Sequence, residues 1–356
     1  MLDGGDRTPY LSRLVRRLAQ SGIEMHYAAD ARQKDFPALE AGGVRCDHLP
    51  IRHKLDLFAR ARLRRLLRER GIELLHTVTG RDAYQGVRAR GRARGLVAVV
   101  RRGAYPKISR FDPADRCVYG RRGADRFFAV SRDLERHMIE RGIAPARVRA
   151  IYTGIWSEEL TAAPFDPRGE FGIGGGVFLA GFLGNVRPVK GVDLLLEALA
   201  RTKRAGAEIH LLLLGEDDRG SAARLAARLD LRDRVTLAGY RPEAWRYLPG
   251  LDALVVPSRI DALPRTAIEA TVLGVPVLAT RVGGIPEILD EGRCGWLVPS
   301  ADPDAMAEAL LAMAKDAADR TRRAAAAKAR NRDLFSIERC AREHVAAYAE
   351  ALDSGS

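Results

Sequence analysis

The sequence predicts an α/β protein made of two doubly wound domains, each with a parallel sheet. Short apolar runs alternate with amphipathic stretches along the chain of 356 residues, which is typical of a parallel sheet covered by helices on both faces. Each half of the chain shows this alternation over its own length, which indicates one such domain in each half. A segment rich in Gly and Pro, residues 161–176, separates the halves and is the predicted linker.

The first domain is predicted to span residues 1–160, and the second residues 177–335. Predicted strands of the first domain are residues 23–28, 72–78, 96–100 and 126–130, and its predicted helices are residues 8–20, 55–70 and 132–141. Predicted strands of the second are residues 177–183, 208–214, 234–237, 253–256 and 275–279, and its helices are expected to start near Val192, Ser221, Pro264 and Pro286. Residues 336–356 have the spacing of a final helix.

Composition excludes several classes of protein. No apolar run approaches the roughly 20 residues that span a bilayer, and no basic-then-apolar leader precedes the first helix. The four cysteines are far apart and form no metal-binding pair, so we expect reduced thiols in a cytoplasmic protein. The net charge of +13 is uneven, because residues 1–150 hold 33 Lys and Arg against 17 Asp and Glu. We therefore expect anionic partners for the first half.

Residues 258–270 carry the clearest chemical pattern. They follow a predicted buried strand and open a helix at Pro264, while Leu263 offers no side-chain oxygen to cap the first N–H groups. An uncapped helix start favours an anion, and the flanking carboxylates of Asp261 and Glu269 favour hydroxyl groups. A nucleotide sugar offers both. The alternative is an ordinary connection with two solvated acids.

Three other loops suit an anion or the close approach of a ligand. Arg187 and Lys190 lie on a loop that opens the helix at Val192. Glycine pairs precede two other predicted helices, and they are Gly4 with Gly5 and Gly283 with Gly284. Each pattern alone is also explained by a tight turn or by solvated basic residues.

In this order and spacing, the motifs resemble those of the retaining, family-4 type of GT-B glycosyltransferase (glycosyl transferases group 1). The matching motifs are PVKG at 188–191, LLLLG at 211–215, VTLAGY at 235–240, PS at 257–258, GVPV at 274–277, GGIPE at 283–287 and GWLV at 295–298, together with the acid pair Asp261 and Glu269. The resemblance is strong over about residues 178–310. It is looser in the first half, through Gly4, Gly5 and ADRFFAVS at 124–131.

The resemblance implies two Rossmann-like domains that face each other across a cleft, with the last helix crossing back to the first domain. It implies that Lys190 holds the donor diphosphate and that Glu269 binds the ribose. Asp261 stands where the family usually has a glutamate that faces the transferred sugar. Backbone groups at Ala262, Leu263, Gly283 and Gly284 would contact the sugar and phosphate, and Tyr240 and Arg241 would border the base.

Two positions depart from the family pattern. The family usually has an arginine directly after the glycine of the lysine loop, where this chain has Asn185, so Arg187 would supply the second positive charge from a shifted position. A first-domain histidine is replaced by Arg102, which can donate hydrogen bonds but cannot act as a base.

The implied reaction moves a hexose-type sugar from a nucleoside-diphosphate sugar to an acceptor with retention, and it needs no further cofactor. No Asp-x-Asp metal motif is apparent in the loops that carry the resemblance, so we expect the reaction to be independent of a metal ion. The open alternatives are a GT-B nucleotide-sugar epimerase and a basic anion-binding protein without catalysis.

The first half, which would hold the acceptor, suggests an anionic partner. Residues 54–70 contain seven basic and two acidic residues. Leu55, Phe58, Leu63, Leu66 and Leu67 lie among them and are expected to form an apolar face over the sheet. We expect an anionic or lipid-linked glycan acceptor and peripheral attachment to the inner face of the cell membrane, in cell-envelope glycan synthesis. Nucleic acid is disfavoured because the one aromatic residue among them, Phe58, is expected on the apolar face, so no aromatic residues are interleaved as stacking platforms.

The chain begins unexpectedly close to its first glycine pair. The family's first strand should precede Gly4, and only three residues do so. We therefore expect that the sheet lacks its first strand or that the coding frame continues upstream with an apolar run.

Overall fold

The structure, a computed structural model, describes residues 1–3, 9–30, 35–91, 95–109, 111–156, 160, 162–217 and 219–354. It divides into two compact units. Residues Met1–Gly154 and Phe335–Ser356 form the first unit, and Ile155–Leu334 form the second. The predicted linker therefore lies inside the second unit, where residues 167–171 form a short helix capped by the side chain of Asp166.

The first unit contains an entirely parallel sheet, which has seven strands within the described residues. The strands are β1 (Leu2–Asp3), β2 (His26–Ala29), β3 (Arg45–His48), β4 (Leu74–Thr77), β5 (Val97–Arg102), β6 (Arg126–Ala129) and β7 (Val148–Ala150), in the order β3-β2-β1-β4-β5-β6-β7. The helices are α1 (Pro9–Gln20), α2 (Phe36–Ala41), α3 (Leu57–Glu69), α4 (Gly80–Arg90), α5 (Pro113–Tyr119), α6 (Arg132–Glu140) and, from the end of the chain, α14 (Ile337–Asp353).

The expectation of a sheet without its first strand is wrong. Strand β1 lies at the centre, where Leu2 pairs with Ala28 of β2 and with Thr77 of β4. It was missed because a two-residue strand has no apolar run to reveal it, and backbone pairing with two neighbours defines it instead. Gly4 and Gly5 lie outside the described residues.

The second unit contains a parallel sheet of six strands within the described residues. The strands are β8 (Phe178–Leu183), β9 (Ile209–Leu214), β10 (Val235–Gly239), β11 (Ala253–Val256), β12 (Val277–Thr280) and β13 (Trp296–Val298), in the order β10-β9-β8-β11-β12-β13. The helices are α7 (Pro167–Phe171), α8 (Val192–Arg204), α9 (Ser221–Arg228), α10 (Arg265–Leu273), α11 (Ile285–Ile288), α12 (Pro303–Lys315) and α13 (Ala317–Leu334).

The core of the second unit explains its unbroken apolar strands. Every residue of β8 and β11 is buried, because helices cover both faces of the sheet. Leu211 and Leu213 of β9 pack in one cluster with residues of α8 and α12, including Leu196 and Leu310. The doubly wound fold predicted for this half of the chain is therefore confirmed, and its strand order reverses between β8 and β11.

The last helix, α14, belongs to the first unit and packs against α1. Its buried side chains include Cys340, His344 and Tyr348. The Nδ1 atom of His344 lies 2.7 Å from the carbonyl oxygen of Cys340, and burial lowers the pKa of His344 to about 3. The imidazole is therefore neutral and donates this bond inside the core.

Helix α3 covers the sheet with fewer residues than the sequence predicted. Ala59, Leu63 and Leu67 are buried in the core, whereas Leu55 and Phe58 are 67% and 87% exposed. The expectation that these last two residues pack on the sheet is wrong. Asp56 caps the helix through the N–H of Ala59, so the helix starts at Leu57 and Leu55 lies before it.

Two glycines bring the loops after β8, β9 and β11 into backbone contact. A Cβ atom at Gly191 would lie 2.0 Å from the carbonyl oxygen of Pro257. At Gly215 it would lie 2.0 Å from the carbonyl oxygen of Gly184. No side chain fits at either position, so glycine is required for these loops to meet.

We predict that Gly191→Ala destabilises the second unit more than Gly206→Ala does. Both glycines have a left-handed backbone, with φ of +67° and +75°, but a Cβ at Gly206 would meet no atom within 4 Å. Gly206→Ala should cost about 1–2 kcal/mol from backbone strain alone. Gly191→Ala should cost a further 1–3 kcal/mol or so, because the loop must move away from Pro257. Urea and thermal unfolding measure both variants, and equal losses would show that the loop contact does not require the glycine.

Candidate functional site

The carboxyl ends of β8 and β11 define the candidate site of the second unit. In a doubly wound sheet, ligands bind at the carboxyl ends of the strands where the strand order reverses, and in this unit the reversal lies between β8 and β11. The loops that follow these strands are residues 184–191 and 257–264. They are the two loops that the sequence pattern singled out.

Lys190 and Asp261 meet at this point. The Nζ atom of Lys190 donates a hydrogen bond of 2.6 Å to Oδ2 of Asp261. The carboxylate is 12% exposed and the lysine side chain 36% exposed, so the pair lies at the surface of the loops with the acid on the inner side. The carboxylate therefore neutralises the charge of this lysine.

A second ion pair holds the two loops together. Both terminal nitrogens of Arg259 donate to the two carboxylate oxygens of Asp193, each at 2.7 Å. The Arg259 guanidinium also donates to the carbonyl oxygen of Pro188, and its backbone N–H donates to that of Val189, both at 2.8 Å. The hydrogen bonds from Arg259 hold the pKa of Asp193 below its usual value, so the pair is charged at neutral pH.

Sequence reasoning missed this Arg259 clamp. Asp193 is an acidic residue in the first turn of a helix and Arg259 is a loop residue, and each is common in its local setting. The two are 66 residues apart, and only the contact between their loops makes them partners. The one available signal was that Arg259 lies two residues before Asp261 and three residues after the end of a buried strand.

Two helices start at the site without a side-chain cap among the described residues. Helix α8 follows Gly191, and helix α10 follows Pro264, which is the N-cap itself rather than the first helical residue as predicted. The free N–H groups and the positive end of the helix dipole at each start favour an anion. Both starts flank the pair of Lys190 and Asp261 in the chain.

Glu269 lies one turn into α10 and is 12% exposed. The guanidinium of Arg265 donates to its Oε1 atom at 3.2 Å. This contact between residues four apart on the helix holds the carboxylate of Glu269 in position. The sequence pattern did not identify this positioning role for the side chain of Arg265.

The N–H of Gly284 forms a hydrogen bond within the fold. This N–H donates to the carbonyl oxygen of Ala262 at 3.1 Å, so it joins the loop after β12 to the loop after β11. Gly283 has a left-handed backbone with φ of +55°. Ala262 and Leu263 are buried between these loops, so only their backbone atoms are suited to contact a ligand.

The remaining second-unit residues lie on neighbouring loops. Asn185 accepts a hydrogen bond of 3.2 Å from the backbone N–H of Glu216, and this bond fixes the loop after β8 to the loop after β9. Arg187 is exposed and forms no ion pair within the described residues. Tyr240 is 65% exposed. Arg241 turns towards α7, where it lies 3.6 Å from a carboxylate oxygen of Glu170, so it does not point freely into solvent as a partner for a base.

Arg102 lies in the first unit at the carboxyl end of β5. A Cβ atom at Gly80 would lie 3.3 Å from its Nη1 atom, so its guanidinium reaches the start of α4. Its Nε atom is buried without a partner among the described residues. The adjacent Arg101 is instead structural, because it is buried and donates to the hydroxyl of Thr153 at 2.8 Å.

Neither a metal cluster nor a membrane span is found in the part of the chain that the structure describes. No group of three or more His, Cys, Asp or Glu side chains there is arranged to hold a metal ion. No helix there is both long and apolar enough to cross a bilayer.

The fold and the site define a glycosyltransferase of the GT-B class, and comparison with protein families agrees. The model of "Glycosyl transferases group 1" matches residues 178–316, and that of "Glycosyltransferase Family 4" matches residues 9–159. Together they cover most of both units. The chain belongs to the group 1, family 4 glycosyltransferases, and the resemblance seen in its motifs is confirmed.

Two relatives in sequence are D-inositol 3-phosphate glycosyltransferases. That of Segniliparus rotundus is 32% identical over 196 residues, which are 53% of this chain and 43% of that protein. That of Kribbella flavida is 29% identical over 396 residues, which are 99% of this chain and 92% of that protein. The chain thus matches less than half the length of the first relative and nearly all of the second.

Two solved structures share the fold over almost the whole chain. A glycosyltransferase from Rickettsia africae has a TM-score of 0.85 and 17% identity, over 98% of this chain and 96% of that one. The Anabaena protein Alr3699/HepE, solved in complex with UDP, has a TM-score of 0.82 and 18% identity, over 98% and 97%. The same protein has also been solved with UDP-glucose.

Proposed function

We propose that this protein transfers a hexose-type sugar from a nucleoside-diphosphate sugar to an acceptor, with retention of configuration and without a metal ion. The observation that carries this proposal is the ion pair of Lys190 and Asp261, which lies where the strand order reverses between two uncapped helix starts. The complexes of Alr3699/HepE with UDP and UDP-glucose support a nucleotide-sugar donor.

Donor binding exchanges the partner of Lys190. The diphosphate binds the ammonium group of Lys190 in place of Asp261. It also binds the N–H groups at the starts of α8 and α10 and the exposed guanidinium of Arg187. Asp261 then loses its cation and accepts hydrogen bonds from the sugar hydroxyls. Glu269, held by Arg265, accepts hydrogen bonds from the ribose.

The chemistry follows from the charge that develops as the bond breaks. Cleavage of the sugar–phosphate bond places negative charge on the diphosphate and positive character on the sugar carbon. Lys190, Arg187 and the helix starts stabilise the diphosphate, and the carboxylate of Asp261 lies beside the sugar. An oxygen of the leaving phosphate takes the proton of the acceptor hydroxyl on the same face, which retains the configuration. Arg102 donates hydrogen bonds and takes no proton.

The acceptor in this proposal is an anionic or lipid-linked glycan at the inner face of the cell membrane, used in cell-envelope glycan assembly. Leu55, Leu57 and Phe58 form an exposed apolar tip at the start of α3, with exposed fractions of 67%, 65% and 87%. Exposed basic residues precede this tip, including Arg52 and Lys54. An apolar tip beside basic residues fits the boundary between headgroups and acyl chains of an anionic bilayer.

We predict that Lys190→Ala lowers kcat/KM at least about 100-fold while the protein stays folded, because the variant loses a charged contact that strengthens in the transition state. The assay measures acceptor-dependent release of nucleotide, with whichever UDP-, GDP- or ADP-sugar the protein binds in calorimetry. Lys315→Ala, which removes an exposed lysine at the end of α12, is the matched control and should retain full activity. A folded Lys190→Ala protein within a few-fold of wild type would refute the donor site.

We predict that the protein sediments with anionic vesicles at low salt, and much less with neutral vesicles or at high salt. Each basic residue near an anionic surface contributes about 1 kcal/mol, and salt screens such charges beyond about 8 Å at physiological ionic strength. Phe58→Ser should weaken sedimentation severalfold. Phe111→Ser, at an 88% exposed phenylalanine outside the tip, should not. Absent or equal binding in all four conditions would favour an acceptor that is not at a membrane.

A further inference from the structure

A groove of about 490 Å³ beside α3, α4 and α5 is lined by eight residues, five of which are arginines. The arginines are Arg60, Arg64, Arg88, Arg116 and Arg122, and Cys117 also lines the groove. All belong to the first unit, and the groove contains none of the residues assigned above to the donor, the sugar or the apolar tip. Arg88 and Gly91 lie at the end of α4, whereas the carboxyl ends of the strands meet the start of this helix.

The five arginines are not neutralised. None of them forms an ion pair with a carboxylate within the described residues, and no acidic residue lines the groove. The neighbouring Arg90, which does not line the groove, is instead paired with Asp125. The groove thus concentrates five positive charges that repel one another.

Neutral acceptors hold two of these guanidinium groups in place. Arg60 donates through Nε to the side-chain oxygen of Gln85 at 2.8 Å. Arg64 donates to the carbonyl oxygens of Arg88 and Ala89, both at 3.1 Å. These bonds fix the positions of the groups but leave their charges unbalanced. The Nη2 atom of Arg60 is buried and has no partner among the described residues.

We propose that this groove binds a phosphate group, as a phosphomonoester or a diphosphate. Guanidinium groups match phosphate oxygens in charge and geometry, and a phosphate in the groove would balance the charges. The proposal does not depend on the proposed transferase activity. The phosphate can belong to a small dissolved compound or to a lipid headgroup, and the same experiment separates these two sources.

The rate at which the thiol of Cys117 is alkylated reports whether the groove is occupied. Its thiol is half-buried; burial raises its pKa, while the charges of Arg88, Arg60 and Arg90 lower it. A bound phosphate both blocks the thiol and opposes those positive charges, so alkylation by iodoacetamide should slow. Cys46, also half-buried but in β3 and outside the groove, is the internal control, and peptide mass spectrometry measures each cysteine separately.

We expect inorganic pyrophosphate, or vesicles containing phosphatidic acid, to slow alkylation of Cys117 at least fivefold without changing that of Cys46. Protection by pyrophosphate alone assigns the groove to dissolved phosphate compounds, protection by vesicles alone assigns it to a lipid headgroup, and protection by both supports the shared chemistry. No protection by either probe would overturn the proposal.

A matched pair of triple variants tests which arginines are responsible. Arg88→Ala with Arg116→Ala and Arg122→Ala should abolish the protection, because these three exposed side chains line the groove. Arg68→Ala with Arg136→Ala and Arg141→Ala removes the same charge from exposed positions outside the groove and should preserve the protection. Thermal unfolding checks that both proteins are folded. Undiminished protection of Cys117 in the folded first variant would also overturn the proposal.

Discussion

The candidate site of the second unit depends on the contact between the loops that follow β8 and β11. Gly191 allows the backbone of one loop to touch the carbonyl of Pro257 on the other, and the Arg259 clamp joins the same loops through Asp193. This contact places Lys190 within 2.6 Å of Asp261. The positive and negative groups of the site are therefore positioned before any ligand binds, which reduces the cost of ordering them.

Much of the fold and part of the site could be predicted from the sequence. Parallel strands buried on both faces give unbroken apolar runs, so β8 and β11 could be located, and the loops that follow them contain Lys190 and Asp261. The Arg259 clamp could not be predicted, because its partners are distant in sequence and each is common in its local setting. The exposure of Phe58 was missed because the cap at Asp56, rather than apolar spacing, decides where α3 begins. Likewise, the role of Gly284 depends on a hydrogen bond to another loop.

The two units balance their charges differently. In the second unit many basic residues have an acidic partner, as in Arg234 with Glu208 and Arg281 with Glu291. In the groove of the first unit, Arg60 and Arg64 are instead held by neutral oxygens and keep their full charge. In this groove the excess of basic residues in the first half of the chain is therefore not offset by ion pairs. It gives the first unit a surface suited to anions that does not depend on the donor site.

The central claim is that a donor diphosphate replaces Asp261 as the partner of Lys190. Calorimetry of Asp261→Asn with a nucleoside diphosphate and with the matching nucleotide sugar tests it most directly. If the diphosphate replaces Asp261, the variant should bind the bare diphosphate as tightly as wild type or more tightly, because a competing carboxylate is removed. Its affinity for the nucleotide sugar should fall. Equal losses of affinity for both ligands would contradict this exchange of partners, because Asp261 would then support binding of the diphosphate rather than compete with it.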